Sequence, residues 1–209
     1  MENYKILNNG VIHQYKLFSK LKEYNKDYIN SRYNSYGEKG LQMAYLRLGH
    51  LLGVLGKIPK SILDIGYGNG DFLKVSQKII PNCYGNDISN YPTPDNVEFV
   101  ENIKEKHFDV ITFFDVLEHF ENIEFVKDLK CNYIMISVPN CHFFSEEWFK
   151  NWKHRRPDEH IFHFNEESLN NYFKEMGFEK ISCSNIEDII RIPIDNNSNI
   201  LTAIFKKIK

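Results

Sequence analysis

The stretch Ser61-Ile62-Leu63-Asp64-Ile65-Gly66-Tyr67-Gly68-Asn69-Gly70-Asp71-Phe72-Leu73 restricts this chain to few folds. A short apolar run (Ile62, Leu63, Ile65) reads as a buried strand. Three alternate glycines then turn the chain, and Phe72, Leu73, Val75, Ile79 and Ile80 resume at helical spacing. Strand, tight loop and helix in that order place a ligand at the carboxyl end of the strand, in the mouth of an open α/β sheet. There it lies against backbone that carries no Cβ atoms. The charges narrow the choice of ligand. A dinucleotide loop, G-x-G-x-x-G, needs glycine where this chain has Asp71, an anion at the helix N-terminus where a pyrophosphate would bind. A phosphate-cradling P-loop fits worse still, because no Gly-Lys-Ser/Thr follows.

S-adenosylmethionine has no phosphate and carries a sulfonium and an ammonium, for which Asp64 and Asp71 are attractive neighbours. The pattern D-x-G-x-G-x-G, here Asp64, Gly66, Gly68 and Gly70, resembles the first motif of class I S-adenosylmethionine-dependent methyltransferases. The plain alternative is a glycine-rich turn between a core strand and a helix. The resemblance spans about residues 41–207. It implies a doubly wound, mostly parallel, seven-strand Rossmann-like α/β sheet with an antiparallel terminal hairpin. It also implies a cofactor held by Asp64 and by the loop Gly66, Tyr67, Gly68 and Gly70.

The apolar runs agree with such a sheet. Cys83–Ile88 reads as the second strand, Val97–Val100 as the third, Phe108–Phe114 as the fourth and Tyr133–Val138 as the fifth, with strands near Phe178–Ser184 and Ile200–Lys206 closing the chain. Asp87 ends the second strand, where an acid can accept hydrogen bonds from both ribose hydroxyls of an adenosine group. Ile88 beside it suits the adenine face. Glu101 falls where family members place a polar contact to the adenine amino group, and Asp115 closes the set of expected cofactor residues.

A second constellation follows the fourth strand. If residues 115–119 form a first helical turn, Asp115, Glu118 and His119 stand at i, i+3 and i+4 on one face. A later cluster, Arg155 to Phe164, contains His160 and His163. Acid-x-x-Glu-His with a distant histidine is similar to the metal site of small-RNA 2′-O-methyltransferases and of ubiquinone-pathway O-methyltransferases. That likeness implies Asp115, Glu118, His119 and His160 as ligands. The first acid is Asp here where those families carry Glu. Two carboxylates with two imidazoles suit Mn, Fe or Zn better than Mg. Two other readings stay open: His119 or His160 as general base without a metal, and a loop fixed by its own Glu and His. His163 reads as a packing or orienting residue.

The remainder sets bounds. At 209 residues and net charge −2, with 42% hydrophobic residues, the chain is long enough for one α/β domain and lacks an overall basic footprint for nucleic acid. Cys83, Cys131, Cys141 and Cys183 form no C-x-x-C pair, which suits reduced thiols in a cytoplasm. No apolar run is long enough for a membrane span, and the first residues do not read as a signal peptide. Residues 1–40 are expected as an N-terminal extension or lid, with a small hairpin at Tyr4–Ile12 and a tyrosine-rich stretch (Tyr24, Tyr28, Tyr33, Tyr36), and residues 41–209 as the methyltransferase domain. Leu41–Leu55 carries one apolar helical face, with Arg47 and His50 expected at the surface. In Trp148–Arg156 aromatics and cations interleave, a composition able to stack on a sugar or base and neutralise a phosphate. The expected acceptor is therefore a small molecule, carbohydrate- or nucleotide-linked. Two rival functions are a nucleotide-dependent oxidoreductase, disfavoured by Asp71, and a catalytically silent partner subunit that keeps the fold.

Overall fold

The computed structural model describes residues 1–25, 37–89, 91–193 and 196–208. Tyr28, Tyr33 and Tyr36 of the tyrosine-rich stretch lie outside them. The elements in chain order are β1 (Tyr4–Ile6), β2 (Ile12–Gln14), α1 (Glu38–Leu55), β3 (Ser61–Ile65), α2 (Asp71–Ser76), β4 (Asn82–Asn86), β5 (Glu98–Phe99) and β6 (Phe108–Phe114). Then come β7 (Cys131–Pro139), α3 (Glu146–Asn151), β8 (Phe162–His163), α4 (Glu166–Glu175), β9 (Phe178–Ser184) and β10 (Ile200–Lys207).

Seven strands form the central sheet in the order β5-β4-β3-β6-β7-β10-β9. β3 pairs in parallel with both β4 and β6, and β6 with β7, whereas β10 runs antiparallel to β7 and to β9. This is the doubly wound sheet with an antiparallel terminal hairpin that the sequence predicts. Successive strand residues point to opposite faces, and both faces are apolar. Leu63, Ile65, Ile111, Phe113, Ile134 and Ile136 build one core, and Ile62, Val110, Met135 and Ile204 build the other. Each such side chain, taken out of water, contributes about 1.5–3 kcal/mol. α1 covers the second core with Ala44, Leu48 and Leu51 and stops at Gly56, whose left-handed conformation lets its N–H reach the Leu52 carbonyl. On the other face α4 starts with a capping box between Asn165 and Ser168, and its Phe173 ring stacks 4.1 Å from Phe205.

The N-terminal hairpin forms, with Ile6 opposite Ile12, and β2 pairs in turn with β8 to make a three-stranded antiparallel sheet. Asp158 holds the chain that follows. Its carboxylate accepts from Gln14 Nε2 at 2.6 Å, the Phe18 N–H at 2.9 Å and the Ser19 N–H at 2.8 Å. Thus the segment leading to Tyr24 is tied to the 155–160 turn.

After β6 a five-residue 3-10 turn, Glu124–Asp128, buries Val126 between the buried Ile123 and Leu129. One expectation needs correction. The helical turn at 115–119 shrinks to a 3-10 turn at Leu117–His119, because Asp115 takes a left-handed conformation with φ 57°. Asp115 is thereby turned out of the register that would place it with Glu118 and His119.

Candidate active site

The carboxyl ends of β3, β4 and β6 converge on the glycine loop. Gly66 (φ 72°) follows β3, and its N–H donates to the Asn86 carbonyl at 2.7 Å. A Cβ there would lie 2.4 Å from Val116 Cγ2, and one at Gly70 (φ 76°) would lie 2.6 Å from Pro94 Cγ. Conformation and close approach together therefore demand glycine at both. Asp71 is occupied at the start of α2: its carboxylate accepts from Asn69 Nδ2 at 2.7 Å and Lys74 Nζ at 3.0 Å. The anion that argues against pyrophosphate thus stands at the helix start.

Asp87 lies across the loop from these groups, accepting from the Gly68 N–H at 2.9 Å and the Ser89 N–H at 2.7 Å. Ile88 next to it is 76% exposed. Tyr67 is buried, donates its hydroxyl to the Tyr91 carbonyl and packs over Gly85. Glu101 is exposed and follows β5. Asp64 is buried within β3 and accepts from the Thr112 hydroxyl at 2.6 Å. Burial raises its pKa to about 7, against the Thr112 hydrogen bond and the Arg47 charge, which act the other way.

Beyond β6 the two acids of the second constellation part company. Arg191 grips Asp115 in a fork, Nη1 to Oδ1 at 2.8 Å and Nη2 to Oδ2 at 2.9 Å, and Arg47 adds a contact at 3.3 Å. Arg47 also forks onto Glu187, Nε to Oε1 at 2.7 Å and Nη2 to Oε2 at 2.9 Å, with its guanidinium 4.2 Å from the Phe114 ring centroid. Two cations and two anions form one compensated cluster. Burial opposes the charge on Asp115, but Arg191 and Arg47 outweigh it and hold its pKa well below the usual carboxylate range. The surface position expected for Arg47 is overturned. No local pattern in α1 announces partners on the distant turn Ile186–Ile189, although Glu187 and Arg191 do stand at i and i+4.

Glu118 has no such compensation. It is 1% exposed, and neither carboxylate oxygen has a hydrogen-bond partner among the described residues. Burial, then the nearby Asp115 charge, pushes its pKa well up. The Ile161 N–H donates to the Glu118 main-chain carbonyl at 2.7 Å and so draws the 155–163 segment onto the 3-10 turn. Glu118, His119 and His160 consequently come together, each offering one ligand atom within 4.8 Å of the others. Asp115, the fourth ligand implied by the resemblance, is engaged by the arginines.

Both imidazoles are set in one tautomer. His119 Nδ1 lies 2.8 Å from the Glu159 carbonyl and His160 Nδ1 lies 2.8 Å from the His154 carbonyl. Carbonyls only accept, so each Nδ1 carries the proton and each Nε2 keeps its lone pair. The Tyr24 oxygen, 2.7 Å from His119 Nδ1, shares that proton. His119 Nε2 lies 3.9 Å from Glu118 Oε1. Burial lowers the pKa of both rings, for His160 with help from His119 and His163, so both are neutral at pH 7. His163, likewise buried and lowered to about 4, donates its Nε2–H to the Arg155 carbonyl at 2.9 Å and packs against Phe149.

Comparison with known proteins follows the same line. A methyltransferase-domain family model matches residues 33–183. No curated protein sequence matches the chain. Among solved structures, the Burkholderia thailandensis 1,6-didemethyltoxoflavin-N1-methyltransferase, with 1,6-didemethyltoxoflavin and S-adenosylhomocysteine bound, is 14% identical. The likeness covers 99% of this chain and 100% of that one, at a TM-score of 0.59. A Clostridium acetobutylicum S-adenosylmethionine-dependent methyltransferase is 11% identical over 86% of this chain and 99% of that one, TM-score 0.60. The Synechocystis magnesium protoporphyrin IX methyltransferase, with S-adenosylhomocysteine bound, is 14% identical over 88% and 95%, TM-score 0.59. At such identities the likeness speaks for the fold. With the family match over most of its length and the glycine loop in place at the mouth of this sheet, the chain belongs to the methyltransferase-domain family and has the class I fold.

Proposed function

We propose that this enzyme transfers the methyl group of S-adenosylmethionine to an oxygen of a small-molecule acceptor, carbohydrate- or nucleotide-linked, with help from a divalent metal. For the cofactor, the loop Gly66–Gly70 offers backbone, Asp87 takes the ribose and Ile88 covers the adenine. Asp64, whose charge is held back by burial, regains it beside a cationic amino acid. Glu101 and Asp115 complete the expected contacts, Asp115 from a position fixed by Arg191 and Arg47.

The observation that carries the metal is the orphaned Glu118 carboxylate facing two neutral imidazoles whose Nδ1 protons are already spent on carbonyls. A buried carboxylate without partners is costly unless a cation joins it. Glu118, His119 and His160 fit a divalent transition metal of the Mn, Fe or Zn kind better than Mg, which prefers oxygens. Such an ion supplies Lewis acidity that lowers the pKa of an acceptor hydroxyl. The residues of this chain do the rest: the glycine loop and Asp87 orient the donor, and the Tyr24–His119–Glu159 contacts fix the imidazole that faces the acceptor.

Melting the protein with S-adenosylhomocysteine and with NAD tests the cofactor: a rise with the first alone is expected, and a rise with NAD alone would return the oxidoreductase reading. Elemental analysis tests the metal. A metal-free protein whose turnover is untouched by chelation and by His160→Ala would leave the general-base reading in its place.

A further inference from the structure

The aromatic stretch that includes Trp148 and Trp152 borders a groove of about 250 Å³ whose lining shares no residue with the glycine loop or with Glu118, His119 and His160. Trp148, Trp152 and His142 form its apolar wall, and Asn151, Ser198 and Lys153 its polar rim. Trp148 and Trp152 stack with ring centroids 5.4 Å apart and planes 24° from parallel. His142 stacks at 7° on Phe144, itself 62% exposed, and Phe144 meets Trp148 edge-on. The groove belongs to the mouth side of the sheet. Asn140 follows the carboxyl end of β7, and it donates to the Ser198 hydroxyl at 2.6 Å and to the Asn199 carbonyl at 3.0 Å. From its wall a run of rings leads to the active site: Trp152 to His154 at 5.5 Å, His154 to His160 at 6.4 Å and His160 to His119 at 4.6 Å.

The electrostatics choose among ligands. The arginines that the sequence places beside the tryptophans are committed elsewhere: the Arg155 guanidinium lies 5.0 Å from the Tyr4 ring centroid, and Arg156 donates to Glu159 at 2.9 Å. Among the described residues Lys153 is the one cation in the lining, beside amides and a hydroxyl. A phosphate would meet no fork of donors here. A neutral ring with apolar C–H bonds on one face and hydroxyls around its edge matches both halves of the groove, the C–H face on the indoles and the edge on the rim. Asn151 gives its amide hydrogens to Glu147, which leaves its Oδ1 as an acceptor.

We propose that this groove is a carbohydrate subsite. It holds a neutral pyranose ring of the acceptor at a distance from Glu118, His119 and His160 spanned by the rings of Trp152, His154 and His160, so that the reacting hydroxyl belongs to a more distant part of the acceptor; this rests on the O-methyl-transfer reading above. The chain has two tryptophans, and both stand in the groove, so its intrinsic tryptophan fluorescence reports on this site alone. Titration of the full chain with lactose, maltotriose and N,N′-diacetylchitobiose, and separately with AMP and UMP, should give a saturable change with at least one sugar and none with the nucleotides. Asn151→Ala, at an exposed rim position, should weaken the sugar about fivefold, the worth of one hydrogen bond. Silence with all three sugars, a response to the nucleotides, or sugar affinity unmoved in both Asn151→Ala and Trp148→Ala would overturn the proposal. S-adenosylhomocysteine melting, run in parallel, separates the two failures: sugar binding without a cofactor shift sinks the methyl-transfer reading and leaves the subsite, whereas a cofactor shift without sugar binding does the reverse.

Discussion

Asp115 and Glu118 lie one helical turn apart in sequence and have opposite surroundings. Asp115, partly exposed, is wrapped by two arginines that also hold Glu187. Glu118, almost wholly buried, faces two neutral histidines and has no hydrogen bond to its oxygens among the described residues. Charge balance tells the two regions apart. The first cluster is complete in itself and serves to hold the end of β6 against α1 and the turn after β9. The second leaves a buried carboxyl group without a partner among the described residues, and it is there that the proposed metal would bind.

The largest effect expected from this contrast comes from unbalancing the complete cluster. Glu187→Ala leaves Arg47 and Arg191 sharing Asp115 alone and strips Ser137 Oγ of its carboxylate partner. Removing one partner of a buried ion pair costs about 3–5 kcal/mol, so urea unfolding should shift by that amount. An unchanged midpoint would mean that the cluster is not the brace it is taken for.

Glu118→Gln should do the converse. Replacing a buried carboxyl group whose ionisation nothing compensates leaves the stability of the metal-free protein equal or higher, while bound metal disappears and turnover falls by about a hundredfold. Calorimetry of metal titrated into both proteins reads this directly. Metal affinity that survives the substitution would break the contrast.

Asp64 sharpens it further, being a buried acid that accepts from the Thr112 hydroxyl. Its folded pKa of about 7 lies above the unfolded value, so the folded state binds the extra proton. Stability attributable to Asp64 therefore falls as pH rises from about 4 to about 7, at up to about 1.4 kcal/mol per pH unit. Asp64→Asn should flatten that slope and melt higher than the wild type at pH 8, yet respond less to S-adenosylhomocysteine. Thermal melts across pH with and without the cofactor product would show both. A wild-type slope retained in Asp64→Asn would assign the pH dependence to another group.

How much of this was legible beforehand follows from which forces are local. Apolar runs such as Phe108–Phe114 and Tyr133–Val138 announce buried parallel strands by themselves, and Gly66 and Gly70 announce the mouth. The place of Asp87 just after β4 was legible because the apolar run that makes the strand ends there. What stayed hidden depends on long-range pairing or on one backbone angle. The left-handed Asp115 follows Phe114 without a glycine to signal it, so a helical wheel puts it beside Glu118 when it faces Arg191. Arg47 looked like a surface cation because Glu187, its partner, stands 140 residues away. His160 joined His119 in the reading only through a family likeness; the physical link, Ile161 N–H to the Glu118 carbonyl, is tertiary.

The smallest expected effect concerns Tyr24, where the N-terminal segment touches the incomplete cluster. Its hydroxyl lies 2.7 Å from His119 Nδ1 and its ring packs edge-on against the imidazole at 5.4 Å, while Asp158 anchors the chain just before it. Tyr24→Phe keeps the packing and removes the hydroxyl, so the Glu159 carbonyl retains the Nδ1 proton and Nε2 stays bare. One shared hydrogen bond is worth about 0.5–1.5 kcal/mol, and kcat/KM should therefore fall by less than about tenfold with metal content unchanged. Tyr24→Ala, which removes the ring as well, should fall further, since the imidazole then loses a wall as well as a partner. If Tyr24→Phe instead empties the site of metal, the phenol would belong with Glu118 and the two histidines as a member of the cluster, and the line between the self-sufficient region and the waiting one would have to include the N-terminal segment.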